Sequence, residues 1–472
     1  MIFRGLTMTD QENEIWEKIQ KEEKKKLQAK VFNIMSKIML FFVLGLFMIS
    51  PFLQLIVRMF LPDKYHYVAL QTSSVQVRRY QDMILAVNQS ACFVAIIFYI
   101  YCVYYLITNR KTIKSNLKQY IKRIIPLGLF FLLALDIILV TKIRGANEYD
   151  LTGHPYMFES IYSYIAYSIV YFFCGMFVSS EKMKKGLFYL LIFTALPLNF
   201  MVLLDKWGCS IKYFIGHGGA VAVFHNSNHY GYYLVMVVLT SYILFVYEKK
   251  LALKIASAIS AIIGSMALIV ADVLGSYIAV LFVLFCFTIY CFIKDKNNCF
   301  YALSTLISFI LVTVIMSFWY PTVISSIVEL QKDLGVIASD PLETDLPYTG
   351  NTGRWMLWQG VLMHIGEKPL VGFGVEGLLN RYGVGTPHNE LLQYMEFFGI
   401  PAMLLYLAAV AVIFITILRH SSKFSKATLV CFCASVGYII GSMFGVAVYY
   451  TTPFIYIFLG LTYAEYFKNG AK

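Results

Sequence analysis

Charged residues are scarce in this chain. Asp, Glu, Lys and Arg together make up 14% of its 472 residues, whereas 59% are hydrophobic. A soluble domain usually carries about 25% charged residues, so a soluble chain of this composition would not cover its own surface. Apolar runs recur from residue 38 to residue 467. This composition excludes an ordinary soluble protein and predicts that the lipid bilayer is the solvent for most of the chain.

The sequence also lacks the cysteine patterns that hold metals or disulfide frameworks. Its nine cysteines lie mostly inside apolar runs, without a Cys-x-x-Cys pair or a Cys/His cluster at zinc spacing. We interpret them as small buried hydrophobic residues. No metal site and no cofactor are therefore predicted. A repeat of fixed period is missing as well, which indicates one membrane domain rather than a solenoid.

Apolar runs long enough to cross a bilayer as helices predict an all-α, polytopic membrane protein with about 12 transmembrane helices. The predicted spans cover residues 38–60, 84–107, 124–142, 158–179, 187–204, 230–247, 255–272, 276–293, 300–319, 400–418, 428–448 and 453–467. The net charge of +12 is interpreted as a topology signal, because Lys and Arg concentrate in short loops between spans. These basic loops fall on one side of a twelve-span chain, which predicts cytoplasmic N- and C-termini.

This pattern divides the chain into four parts. Residues 1–37 are predicted to form a charged cytosolic tail, which does not resemble a cleavable signal peptide. Residues 38–319 contain the first nine predicted spans. Residues 320–399 form one large extracytoplasmic loop, and residues 400–472 contain the last three spans and a short cytosolic tail.

The second half of the large loop carries the residues most typical of a binding site. Arg354 opens a segment with apolar residues at helical spacing, and Gly372 and Gly374 permit a tight turn. His388 precedes a helical segment at 389–398, and a helix N-terminus attracts anions. Together these groups could hold a diphosphate. The alternative is that Arg354 only reaches lipid headgroups and that His388 is solvated.

Four motifs in this loop, with one more at residues 224–231, together resemble the O-antigen ligase and polymerase superfamily. They are Gly-Arg-x-x-x-Trp from residue 353, Lys-Pro-x-x-Gly-x-Gly from 368, His-Asn-x-x-Leu from 388, Gly-Ile-Pro from 399, and Asn-x-x-Gly from 228. The motif-bearing resemblance covers roughly residues 200–420.

The resemblance implies a membrane glycosyltransferase that moves a glycan from an undecaprenyl-diphosphate carrier to an acceptor hydroxyl outside the membrane, without a metal. It implies that Arg354 holds the diphosphate and that His388 is the general base. A guanidinium can neutralise a leaving diphosphate through two hydrogen bonds. A histidine can accept a hydroxyl proton at neutral pH.

The sequence departs from the family at one outer turn. The family often has Ser-Arg-Gly there, whereas residues 272–277 read Asp-Val-Leu-Gly-Ser-Tyr. Arg381, Lys206 and Lys212 are candidate substitutes for the missing arginine. The predicted substrate-binding residues are Arg381, Asn389, Asn228, Asp272, Lys212 and Trp358.

Several functions remain open at this point. A polymerase would add lipid-linked repeat units to one another for surface, capsular or exopolysaccharide, whereas a ligase would transfer the glycan to a final acceptor. The expected partners are the glycan donor, the acceptor and the lipid bilayer, with a flippase and a chain-length regulator as further candidates and no nucleic acid. The expected location is the plasma or inner membrane of a bacterium. A flippase for lipid-linked oligosaccharide also fits twelve spans, but the halves of the chain show no repeat. A peptidoglycan glycosyltransferase of the shape, elongation and division type fits the motifs less well.

Overall fold

The computed structural model describes residues 10–60, 117–152, 160–209, 222–224, 226–321, 354–420, 424–448 and 451–469, together with a few isolated positions. Every regular element in these ranges is helical, which confirms the predicted all-α class for this part of the chain. The α-helices are α1 (Asp10–Phe60), α2 (Leu117–Arg144), α3 (Glu148–Thr152), α4 (Ile161–Phe177), α5 (Glu181–Leu204), α6 (Ser227–Tyr247), α7 (Leu251–Val270), α8 (Leu274–Lys294), α9 (Cys299–Ser317), α10 (Arg354–His364), α11 (Gly377–Tyr382), α12 (Glu390–Phe398), α13 (Ile400–Arg419), α14 (Lys426–Ser442) and α15 (Thr452–Asn469).

Seven segments of the described residues are long and apolar enough to cross a membrane. They are Ile125–Arg144, Glu181–Cys209, Ser227–Tyr247, Leu251–Val270, Leu274–Lys294, Lys296–Ser317 and Ile400–Arg419. Shorter apolar stretches occur in α1, α4 and α14. Each predicted span overlaps one of these helices except 84–107, of which only Val103 and Ile107 are described. The count of about twelve spans and the topology therefore stay predictions.

Two helices, α6 and α15, lie inside the bundle rather than at its edge. Nearly every residue of α6 is buried, and residues 451–464 are buried without interruption. A helix that is apolar on all sides needs neighbours on all sides. For α15 these include α4 and α14, and for α6 they include α7, α8 and α14.

The surrounding helices present large apolar side chains outward, as expected where lipid replaces water. Exposed examples on α2, α8, α9 and α13 are Leu132, Leu139, Phe282, Phe285, Ile310, Leu311, Leu404 and Leu407. The inner faces pack tyrosines and small residues, and eleven tyrosines are almost completely buried. This distribution supports a membrane protein with a tightly packed, partly polar interior.

Residues 354–399, which the sequence predicts to lie outside the membrane and which are called the outer segment below, fold as short helices joined by turns. The sequence predicted α10, the turn at Gly372 and Gly374, and α12, and the structure confirms these three features. The short helices α3 and α11 occur in segments that the sequence left as loops. Asn389 is the N-cap of α12, because its side-chain oxygen accepts a hydrogen bond from the Leu392 backbone amide at 3.1 Å.

Candidate functional site

A buried arginine fixes the outer segment to the membrane bundle. Arg144, the last residue of α2, donates hydrogen bonds to the carbonyls of Val371 and Phe397, both at 2.9 Å. Its guanidinium also pairs with Asp150 at 2.7 Å, and both side chains are almost fully buried. Asp150 in turn accepts a hydrogen bond from the Val375 amide at 3.0 Å. The Arg144–Asp150 pair therefore holds both the 371–375 strip and the C-terminal end of α12.

The glycines of the Lys-Pro-x-x-Gly-x-Gly motif permit this close packing. Gly372 and Gly374 have φ of 63° and 83°, a region that favours glycine. A Cβ on Gly372 would lie 2.6 Å from the Phe397 carbonyl carbon, and one on Gly374 would lie 2.7 Å from the Arg144 guanidinium. The amides of Phe373 and Gly374 donate to carbonyls of α12 at 2.7 and 3.0 Å. The two glycines of this motif thus allow the backbone of residues 372–374 to pack directly against α12 and hold it in position.

Hydrogen bonds hold the residues on both sides of His388 in place. On one side, the Trp358 indole N–H of α10 donates to the Pro387 carbonyl at 2.7 Å. On the other side, Asn389 caps α12. His388 itself adopts a left-handed backbone conformation with φ of 50°, which is uncommon outside glycine and often marks a functional position. Its Nδ1 atom is buried and has no hydrogen-bond partner among the described residues.

Arg354 lies near His388, as the resemblance requires. Burial lowers the pKa of His388 below its usual value, and the positive charge of Arg354 lowers it further. The imidazole is therefore neutral at neutral pH, the form that can accept a proton. The ion pairs within the described ranges do not include Arg354. Its charge is thus available for an anionic ligand.

Two residues that the sequence did not single out complete this cluster. Glu390 is fully buried, accepts a hydrogen bond from the Tyr406 hydroxyl at 3.2 Å, and has a pKa that burial raises to about 7. Tyr232, on α6, is also buried, and its hydroxyl interacts electrostatically with both Arg354 and Glu390. Glu390 directly follows the His-Asn motif, which is a weak sequence signal. Tyr232 lies inside an apolar run and gives none.

The other predicted substrate-binding residues have different surroundings. Trp358 anchors Pro387 as described above, and Asn389 uses its side-chain oxygen as a helix cap. Arg381 pairs with Glu367 at 2.9 Å, and both side chains are exposed. Its observed partner is thus a surface carboxylate rather than the Arg354 and His388 cluster, which weighs against Arg381 as the substitute arginine.

The remaining candidates lie near the outer ends of the spans. Asn228 is partly buried in the first turn of α6, where its amide donates to the Asn226 side chain at 2.8 Å. Asp272 is exposed at the turn before α8, with φ of 56°. Lys206 lies over the Tyr320 ring at 5.8 Å. Lys212 lies outside the described residues. The substrate-binding roles of these residues stay predictions.

Metal ligands do not cluster in the part of the chain that the structure describes, where no group of three His, Cys, Asp or Glu side chains could hold an ion. The ionisable groups that lie close together here are instead Arg354, His388 and Glu390. The arrangement can hold an anion at Arg354 and accept a proton at His388.

The fold defines a polytopic helical protein with several helices apolar enough to cross a membrane, and it brings Arg354 near His388. Residues 259–407 match the family model described as O-antigen ligase, which confirms the resemblance to the O-antigen ligase and polymerase superfamily. The matched range includes Asp272, Arg354, Trp358, Arg381 and His388 but not Asn228. The family supports a membrane enzyme of polysaccharide assembly. No curated protein matches the chain at a significant level.

Proposed function

We propose that this protein is a glycosyltransferase that polymerises undecaprenyl-diphosphate-linked oligosaccharide repeat units on the outer face of a bacterial membrane. The observation that supports this most is the proximity of Arg354 and His388 within the O-antigen ligase match. An anion-binding group and a neutral base are the two groups that this displacement needs.

The chemistry follows from these two side chains. The acceptor hydroxyl oxygen forms a bond to the anomeric carbon of the donor sugar, and the bond from that carbon to the diphosphate oxygen breaks. His388 accepts the hydroxyl proton as the oxygen attacks. Arg354 neutralises the charge that develops on the leaving diphosphate. A single displacement of this kind inverts the configuration of the anomeric carbon.

We propose that the reaction proceeds without a metal, because Arg354 supplies the positive charge that a divalent cation would otherwise provide. Treating the purified protein with a chelator is then expected to leave the transfer rate unchanged. Loss of activity that returns with added Mg²⁺ or Mn²⁺ would contradict this part of the proposal.

Ligation to a final acceptor is the second candidate, because the matching family model is described as O-antigen ligase. It uses the same donor and the same bond-breaking step. The two functions differ only in the acceptor, which is a second lipid-linked repeat unit for the polymerase. A complementation experiment separates them.

The experiment deletes the gene in its host and restores it as wild type, Arg354→Ala or His388→Ala, with membrane levels measured by immunoblot. A polymerase predicts that wild type restores a ladder of long surface glycans while both variants leave single repeat units. Long lipid-linked chains that fail to reach the final acceptor would indicate a ligase. Wild-type ladders from both variants would contradict the proposed site and favour a flippase.

A further inference from the structure

Two buried polar atoms that lack hydrogen-bond partners among the described residues, the Tyr232 hydroxyl and His388 Nδ1, belong to side chains that interact with the charge of Arg354. Within the described ranges, hydrogen-bond partners are missing for the Tyr232 hydroxyl, the Ser276 hydroxyl, the Trp355 indole N–H and His388 Nδ1. An unsatisfied buried polar group is destabilising, so native proteins contain few of them. Two of them beside an arginine that no ion pair among the described residues includes therefore point to a site for a polar ligand.

Tyr232 lies on α6, one of the two helices inside the bundle. Its side chain is 1% exposed, and its hydroxyl feels the charges of Arg354 and Glu390. A Cβ on Gly445 would lie 1.2 Å from this hydroxyl, so only glycine leaves room for it. The ring also meets Tyr438 edge-on, with 6.0 Å between ring centroids. The hydroxyl is thus fixed in place without a hydrogen-bond partner among the described residues.

The neighbouring turn, residues 272–277, packs against the same part of α6. A Cβ on Gly231 would lie 2.7 Å from the Ser276 hydroxyl and 3.0 Å from the Val273 side chain. This is the turn at which the sequence lacks the family's arginine. At the turn where the family often has an arginine, this chain therefore places the neutral Ser276 hydroxyl against α6.

We infer that the Tyr232 hydroxyl is a second hydrogen-bond donor to the diphosphate that Arg354 binds, an inference that rests on the proposed function. A tyrosine hydroxyl and an indole N–H can donate hydrogen bonds, and diphosphate oxygens only accept them. In this arrangement α10 contributes the charge, α6 contributes the neutral donor, and the diphosphate enters between them.

The test measures binding of undecaprenyl diphosphate to the purified full-length protein in detergent, with undecaprenol as the phosphate-free baseline. Tyr232→Phe is expected to weaken diphosphate binding about tenfold to a hundredfold, the effect of one hydrogen bond to a charged group, and to leave undecaprenol binding unchanged. Gly445→Ala displaces the hydroxyl without removing it and is expected to weaken diphosphate binding as well.

Tyr230→Phe is the matched control on the same helix. Its hydroxyl is also buried but donates to Asn199 at 2.8 Å. Tyr230→Phe is expected to lower thermal stability and to leave the diphosphate affinity of the folded protein unchanged. Tyr232→Phe is expected to keep wild-type stability without ligand, because it removes a hydroxyl that has no partner.

Two outcomes would overturn the inference and are distinct from failure of the proposed function. Wild-type diphosphate affinity in Tyr232→Phe, with Arg354→Ala greatly weakened, would show that Arg354 binds without the Tyr232 hydroxyl. An equal loss of undecaprenol binding in Tyr232→Phe would assign Tyr232 to packing. Undiminished binding in Arg354→Ala would instead contradict the proposed function.

Discussion

Two arginines, one that contacts the segment 354–399 and one that belongs to it, differ in what surrounds their charge. Arg144 is almost fully buried, pairs with Asp150 and donates to two backbone carbonyls. Arg354 is only partly buried, and no ion pair in the described ranges includes it. Arg144 thus has a buried carboxylate partner, whereas Arg354 has none among the described residues, as the proposed diphosphate-binding role requires.

This difference shows why loss of activity alone does not identify a catalytic residue. Removing Arg144 would release residues 371–375 and the C-terminal end of α12. Activity would then fall because His388, at the other end of α12, would be displaced. Removing Arg354 would leave the fold intact and remove the charge at the site. Measurements of stability and activity on the same variants separate the two effects.

The largest expected effect is on stability, from Arg144→Ala. This change leaves the buried Asp150 carboxylate without its cation, which typically costs about 3–5 kcal/mol. We expect a lowered melting temperature in detergent and low membrane levels. Asp150→Asn, which retains hydrogen bonding without the charge, is expected to cost less. If the Arg144→Ala variant melts at the wild-type temperature, the Arg144–Asp150 pair does not hold the outer segment.

Arg354→Ala is expected to lower the transfer rate about 10²–10³-fold, the usual cost of removing one group that stabilises developing negative charge. Its melting temperature is expected to match that of wild type. Arg381→Ala is the control, since it removes an exposed arginine that pairs with Glu367 on the same loop. A large loss of activity in Arg381→Ala would restore Arg381 as a phosphate contact.

The raised pKa of Glu390 predicts that the free energy of unfolding depends on pH. Its folded pKa of about 7 lies above the unfolded value of 4.5, so its contribution to stability is full below pH 4.5 and is lost as the pH rises through 7. The loss is about 3 kcal/mol. Glu390→Gln is therefore expected to lose less stability than wild type between pH 5 and pH 8.

Thermal melts of both proteins across that range test this prediction. The His388 pKa is shifted downward, so its own effect on stability has the opposite sign, a loss as the pH falls. The difference between wild type and Glu390→Gln isolates the carboxyl group. Identical pH dependence in the two proteins would mean that Glu390 does not titrate in this range.

The smallest expected effect is from Trp358→Phe. The ring remains, but the hydrogen bond to the Pro387 carbonyl is lost, at a cost of about 1 kcal/mol. We expect a modest loss of transfer rate, with binding of the lipid carrier unchanged. A loss as large as that of Arg354→Ala would instead indicate that Trp358 contacts the substrate directly.

The sequence predicted much of the fold because membrane helices leave a strong local signal. The runs near 230–247 and 400–418 lie within helices whose boundaries the structure gives as Ser227–Tyr247 and Ile400–Arg419. In the outer loop, α10, α12 and the glycine turn were also predicted, since each depends on residues close together in the chain.

What the sequence did not predict depends on contacts between distant residues. Arg144 and Val371 are 227 positions apart, and no local pattern connects them. Tyr232 is one aromatic residue among many in an apolar span, and only the fold brings it near Arg354. The ion pair between Arg381 and Glu367 is likewise a contact that only the fold reveals, and the role of Arg381 stays a prediction.

The most direct test of the central claim is release of undecaprenyl diphosphate from a labelled lipid-linked oligosaccharide by the purified protein, compared for wild type, Arg354→Ala and His388→Ala. Melting curves would establish that all three are folded. Both variants are expected to be folded and to release the carrier at least a hundredfold more slowly than wild type. Release at the wild-type rate by either folded variant would contradict the assignment of Arg354 and His388 as the site of glycan transfer.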